Sequence, residues 1–410
     1  MKKLIALALA VLMVFSLCAC SGSVDSAVLD EILSTVKSLQ AQVDALAGGE
    51  AAAPAEEAPA EEAAAPAPAD DGKVYNVTLQ FSFPEESAAG ANKVLDEMEE
   101  ASGGRLKFEK YYSFSFVDAA DVVDALENDQ LDIAGFNTAE HPAEMPLNGA
   151  LMTLPLLNFP GWTAATQIYL AMLYSTPEML DEFTDNGMLF YAGYMCPGYQ
   201  FYSTKEITDF TPSAFNGLTV MCDQPQMGQF INQNSGGAIS AFPPDYLSNL
   251  QNGVADALVQ HVNCAYVFGT FDYIKSAVFF GEGGFYNFPL VYGMSQIFWD
   301  SLPEDLQQIF MDYAAEFCYE SQMADEALYY NVAYPTLEEN ATITVLDDAA
   351  IASWQEAIAP IVEAAMEEIT ADSPTAPQVY ERLTDMIANY DEATFDIGTN
   401  NFGLPATWGD

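Results

Sequence analysis

The sequence predicts an α/β body, a mostly parallel sheet covered by helices, set behind an apolar leader and a polar tether. Three observations predict it. From Val74 onward, short runs of period two take turns with longer runs of helical period in the order β-α-β-α-β. The chain has 410 residues, 50% of them hydrophobic, enough to bury a large core and to build two lobes. No repeat of 20–50 residues is visible, so solenoids and propellers are excluded.

Composition narrows the functions available. The chain carries 60 Asp+Glu against 11 Lys+Arg, a formal charge of −49. Nucleic-acid phosphates and anionic lipid headgroups both need a basic face, so no nucleic-acid partner is expected. Most of the acidity lies in the body, which from Lys73 onward holds 49 acids and 8 bases for a net charge of −41. Its plainest role is a solvated surface. Only two histidines occur, His141 and His261, in unrelated surroundings, so a zinc or di-iron enzyme built on imidazoles is close to excluded.

The leader comes first. Lys2 and Lys3 precede an apolar run, Leu4 to Leu17, that is too short to span a bilayer and right for a signal peptide over residues 1–19. It ends in Leu17-Cys18-Ala19-Cys20, which resembles a bacterial lipoprotein signal cut before Cys20. That resemblance implies a lipid anchor on Cys20 and an extracytoplasmic protein held to the cell membrane; more than one acyl chain makes such anchoring stable.

Residues 20–47 follow as a helical segment. Leu29, Ile32, Val36, Leu39, Val43 and Leu46 are spaced 3-4-3-4-3, two and a half heptads. A helix this short is marginal in water, so residues 29–46 support either a weak homo-oligomer or a helix laid on the membrane or the body. Residues 48–72 turn to Ala, Pro and Glu, with Ala53-Pro54-Ala55-Glu56-Glu57 repeated at Ala58-Pro59-Ala60-Glu61-Glu62. Such a linker has no apolar surface to bury and stays disordered, reaching up to ~70 Å at ~3.1 Å per residue.

In the body, strand Val74–Phe83 leads into a helix over Ala88–Ala101 that stops at Gly103-Gly104. Strand Arg105–Tyr112, helix Val117–Glu127 and strand Leu131–Gly135 complete the first unit. The rhythm resumes with strands Met188–Tyr194, Phe201–Thr204 and Leu218–Cys222, helices Gln226–Asn234 and Asp245–Asn252, and strand Ala255–Val259. Ser301 and Glu304 have the spacing of a capping box, followed by a wide apolar stripe from Leu306 to Cys318. Helices over Ala349–Ile369 and Gln378–Tyr390 close the chain.

Catalytic motifs are absent. There is no GxxxxGK[ST], no GxGxxG after a strand, no HExxH and no GxSxG. Paired carboxylates such as Glu85-Glu86 say nothing among 60 acids. Cys196, Cys222, Cys264 and Cys318 match no metal spacing; buried thiols are the simplest reading, with a Cys196–Cys222 disulfide as the alternative. No catalytic residue, metal or cofactor is expected.

Six runs in order then resemble the extracytoplasmic solute-binding subunit of TRAP transporters, the DctP-like family. They are Ser102-Gly103-Gly104-Arg105, the step from Ala125 to Ala134, Leu154-Pro155-Leu156-Leu157, Phe215-Asn216-Gly217-Leu218-Thr219-Val220, the run from Leu250 to Asp256, and Ile297-Phe298-Trp299-Asp300-Ser301-Leu302-Pro303. The resemblance implies a two-lobed periplasmic-binding-protein-like fold of type II style with the solute in a cleft between the lobes. Lobe I would hold residues 73–197 plus about 287–325, and lobe II residues 198–286 plus about 326–410. It also implies TRAP membrane subunits as partners. A binding lipoprotein of an ABC importer or a sensor, and a tethered hydrolase, stay as alternatives.

One departure bears on the solute. The family places an arginine after the Gly-Leu-Lys-Ile segment to clamp a carboxylate; here that position is Met221, and Tyr199-Gln200-Phe201 holds no base where a second arginine is often found. A buried carboxylate without a cationic partner is costly. A small neutral, zwitterionic or cationic solute is therefore expected over a simple carboxylate. Strand ends in open α/β sheets are where ligands sit. On that ground the candidate lining is Asn137 and Thr138, Trp162, Tyr199 and Gln200, Met221 and Gln224, Phe242 and Asp245, and Gln260, His261 and Asn263.

Overall fold

A computed structural model describes residues 72–241, 243–395 and 397. The signal peptide, Cys20, the heptads of residues 29–46, the linker and Phe242 lie outside the described residues.

Strand β1 (Tyr75–Gln80) is followed by α1 (Ala89–Ala101), which ends where Gly103 and Gly104 take φ of +64° and +81°. Strand β2 (Leu106–Tyr111), helix α2 (Val122–Glu127) and strand β3 (Ile133–Asn137) follow. The β-α-β-α-β reading holds here, and β1 pairs in parallel with both β2 and β3.

Two helices come next, α3 (Trp162–Ser175) and α4 (Pro177–Asp185), before β4 (Met188–Met195). The second half supplies β5 (Gln200–Ser203), β6 (Thr219–Cys222), α5 (Pro225–Gln233), β7 (Gly237–Ser240), α6 (Pro243–Gln251), β8 (Ala257–Gln260), α7 (Val262–Val267) and β9 (Ser276–Phe279). Strand β10 (Pro289–Ser295) returns to the first half and runs antiparallel between β3 and β4. The chain ends with α8 (Gln296–Ser301), α9 (Glu304–Leu328), α10 (Tyr334–Asn340), β11 (Thr342–Val345), α11 (Asp348–Asp372) and α12 (Ala376–Ala388).

Two sheets result, β2-β1-β3-β10-β4 and β11-β9-β5-β8-β6-β7. The first core joins the first sheet, its helices and one side of the second sheet; a smaller core lies on the other side of the second sheet around Tyr202, Met221, Tyr246 and Leu258. Helix α11 seats Trp354 among Phe215, Phe230, Phe280 and Phe285, and its indole N–H donates to Phe210 O at 2.8 Å. Helix α12 packs on α11 and on α3, which lies against β4 of the first sheet. No described helix is long and apolar enough to cross a membrane.

Some local expectations change. The capping box does not form: Pro303 is the N-cap of α9, with no side-chain cap, and Ser301 Oγ donates to Phe298 O at 2.7 Å. Proline there starts the helix through its fixed φ and leaves Ser301 in the preceding turn. Cys196, Cys222, Cys264 and Cys318 are free thiols, so no Cys196–Cys222 bridge exists. The stripe on α9 is as read, with Leu306, Phe310, Ala314, Phe317 and Cys318 buried.

The chain passes between the sheets in adjacent segments that pair as they cross. Tyr199 N donates to Tyr286 O and Phe285 N donates to Tyr199 O, each at 2.7 Å, while Cys196 N donates to Phe288 O at 2.9 Å. Gly198 and Gly284 meet at this crossing. A Cβ on Gly198 would lie 2.4 Å from Gly284 N, and Gly284 itself holds φ of +67°, so both positions require glycine.

Candidate functional site

A cleft of about 490 Å³ opens where the carboxyl ends of strands from both sheets face one another. From the first sheet it takes Phe83 and Pro84 after β1, Phe114 and Asp118 after β2, and Asn137 and Glu140 at and after β3. Cys196, Phe288 and, on α9, Asp325 extend that wall. The facing wall is Tyr199 before β5, Asp223 after β6, Pro243 and Pro244 after β7, and Gln260, His261, Asn263 and Cys264 after β8.

Five expected residues come together here: Asn137, Tyr199, Gln260, His261 and Asn263. The others do not. Thr138 is fully buried, its hydroxyl donating to Asn148 O at 2.8 Å. Trp162 is buried and its indole donates to Met195 O. Gln200 holds the crossing together, its Oε1 accepting from Phe280 N at 2.8 Å and its Nε2 donating to Gly281 O at 2.9 Å. Gln224 stands at the N-cap position of α5 with no side-chain cap, and Asp245 is exposed in the first turn of α6.

Met221 is the instructive correction. Strand alternation sends Val220 and Cys222 into the first core and Met221 into the second, where it is fully buried. The cleft-facing residue at the end of β6 is Asp223, between two residues the sequence singled out. Glu140 and Asp325 were also missed. Nothing in their local sequence separates them from the other acids; Asp325 is carried in by a helix from much later in the chain.

Two tyrosines hold Asp223. Tyr199 OH donates to Oδ2 at 3.1 Å and Tyr286 OH to Oδ1 at 2.6 Å, and the two rings stack with centroids 4.4 Å apart. Burial raises both phenols' pKa well above 10, so they remain neutral donors. His261 and Phe288 lie against Tyr199 at 5.4 and 5.2 Å. Desolvation pushes the His261 pKa down to about 3, and its Nδ1 accepts from Cys264 N at 3.3 Å, so the ring is neutral and protonated on Nε2. It supplies no positive charge.

The carboxylates move the other way. Burial raises the Asp325 pKa to about 6 against the hydrogen bonds from Asn263 and Tyr194. Burial also raises Asp223, although both tyrosines favour its ionised form. Glu140 is exposed; desolvation and then the charge of Asp223 push it up to about 7, a rise that its contact with solvent opposes. Among the described residues no Lys or Arg lines the cleft.

The body's bases are engaged elsewhere. Lys93 pairs with Glu320, Arg105 with Asp305, Lys107 with Glu99, Lys110 with Asp96, and Lys205 with Asp256. Lys73 lies 4.0 Å over the ring of Tyr75, Arg382 donates to Ser175 O at 2.6 Å, and Lys275 lies in a separate hollow beside Glu206 and Glu339. Among the described residues no group of His, Cys, Asp and Glu is arranged to hold a metal ion.

Such a cleft can bind a small molecule between two α/β halves, and a known family matches it. The model of the bacterial extracellular solute-binding proteins, family 7 (DctP), covers residues 82–369. The chain belongs to this family. It is therefore a solute-binding protein that works outside the cytoplasm, as its resemblance to the DctP-like receptors implies.

Solved DctP-fold structures agree at low identity. A marine-metagenome TRAP solute-binding protein from an unidentified microbe, specific for aromatic acids and bound to 3-hydroxybenzoate, is 16% identical with a TM-score of 0.65; the match covers 78% of this chain and 100% of that one. A Rhodoferax ferrireducens TRAP protein with bound malonate is 18% identical, TM-score 0.64, over 76% of this chain and 98% of that one. A Bordetella pertussis extracytoplasmic solute receptor binding pyroglutamic acid is 14% identical, TM-score 0.64, over 75% and 100%. No curated protein sequence matches the chain.

Proposed function

We propose that this DctP-family protein is the extracytoplasmic receptor of a TRAP transporter. It is anchored to the cell membrane through Cys20 and catches a small neutral, zwitterionic or cationic solute between its lobes. The observation that carries the solute class is the cleft lining itself, which among the described residues offers Asp118, Glu140, Asp223 and Asp325 and no lysine or arginine. The relatives named above bind acids, and an acid in this cleft would face four carboxylates with no bidentate cation to offset its desolvation. Lobe closure on a solute follows from contacts the solute makes with both walls only when they meet. The linker of residues 48–72 gives the anchored body reach toward its membrane partner.

Two experiments test this reading. Cross-linking the protein in its native membranes and identifying the captured partner by mass spectrometry is expected to return a TRAP membrane pair; an ATP-binding-cassette permease would sink it. Cys20→Ala is expected to move the protein from the membrane to the soluble fraction, and unchanged membrane retention would refute the lipid anchor.

A further inference from the structure

Asn263 gives the cleft a second, independent feature. It is only 3% exposed, and its Nδ2 donates to Asp325 O at 2.9 Å and Asp325 Oδ1 at 3.1 Å. Two acceptors on Asp325 fix the amide's orientation, because turning it over would set oxygen against oxygen. That leaves Asn263 Oδ1 buried and without a hydrogen-bond partner among the described residues. A buried acceptor left unmade is costly, and what satisfies it is a donor.

The charges nearby ask for the same thing. Glu140, Asp223 and Asp325 all line this one cleft, together with Cys196 and Cys264. Among the described residues no lysine or arginine lines the cleft to offset them. Tyr199, His261 and Phe288 supply neutral aromatic surface beside Asp223, a suitable wall for a cation.

We infer that the solute is a protonated amine or guanidinium bearing N–H donors, with Asp223, Glu140 and Asp325 as its counter-ions and Asn263 Oδ1 accepting one of its N–H groups. This deepens the receptor reading above and rests on it. A quaternary ammonium satisfies the charge but leaves Asn263 unpaired, so it binds more weakly than a primary amine of the same size. The volume of about 490 Å³ suits a small diamine, an aminoguanidine or a basic amino acid.

Calorimetric titration of the full protein with putrescine, agmatine, lysine and choline, beside malonate, 3-hydroxybenzoate and a neutral sugar, tests the inference. The expected result is binding of at least one N–H-bearing cation, at least tenfold tighter than choline. Asp223→Asn and Asn263→Ser are each expected to weaken that binding at least tenfold, while Asp245→Asn, outside the cleft, leaves it unchanged. Circular dichroism establishes that each variant is folded. Binding of acids or sugars in place of cations overturns the solute class and leaves the receptor reading standing. Cation binding that ignores both cleft variants overturns the anchoring residues. Failure of every solute class to bind removes the receptor reading as well.

Discussion

Asn263, at the start of α7 beside the second sheet, donates to both the main-chain oxygen and Oδ1 of Asp325 on α9 beside the first sheet. One side chain thus ties the two walls of the cleft and positions a carboxylate inside it.

Removing that tie leaves a half-buried carboxylate short of a donor. Asn263→Ala is expected to cost about 1–3 kcal/mol, and a double-mutant cycle with Asp325→Ala to return a coupling of about 0.5–3 kcal/mol. Additive effects in urea unfolding would mean that the contact does not join the walls energetically.

Gly198→Ala tests the crossing. The added methyl would lie 2.4 Å from Gly284 N, and backbone on that side has no rotamer with which to yield. Overpacking of this kind costs about 1–3 kcal/mol, a melting temperature lowered by a few degrees. An unchanged midpoint would show that the crossing segments have room to separate.

Met221→Arg separates cleft from core. If that position faced the solute, arginine there would confer affinity for a carboxylate. Because Met221 is fully buried in the second core, the substitution instead places an unpaired charge in apolar surroundings. The expected outcome is loss of soluble, cooperatively melting protein. A well-folded variant that binds malonate would contradict the burial.

The pH dependence has a definite sign. Burial raises the folded-state pKa of Asp132 and Asp325 to about 6 and of Glu182 to about 7, all above the ordinary carboxyl range. A carboxyl raised on folding holds a proton that the unfolded chain has already released, so its contribution is greatest below the unfolded pKa and fades as pH rises through the folded one. Relief of self-repulsion in the −41 body acts in the same direction, and the three carboxyls outweigh His261, whose pKa of about 3 in the fold opposes acidification below its unfolded value. Without solute, the melting temperature is expected to rise between pH 8 and pH 5.5. Affinity for a cationic solute moves the opposite way, weakening as Asp325 takes up its proton. A ligand-free midpoint that falls on acidification would contradict the raised values.

Legibility in the sequence followed local pattern. The alternation from Val74 and the stripe from Leu306 to Cys318 were readable because one face meets solvent and the other the core. Helix α3 was not, since Trp162–Ser175 is buried on nearly every side and leaves no stripe. Strand β10 was missed for a similar reason: all seven of its residues are buried, and it reads as an apolar run without period. At the site, residues at carboxyl ends of strands were found, as with Asn137 ending β3, Gln260 ending β8 and His261 just past it, because strand ends are local features.

By itself the sequence determined the α/β alternation, the leader and tether as expectations, the family, and the shortage of positive charge that limits what a cleft here can hold. Tertiary structure alone decided which acids line the cleft. Glu140, Asp223 and Asp325 look like any of the 60 acids until strand ends and a late helix bring them together. Tertiary structure also withdrew Met221 from the cleft and put Asp223 in its place, two residues on. Composition and local period are carried by near neighbours along the chain. The electrostatics of a cleft depend on distances in space between groups far apart in sequence, and only packing sets those.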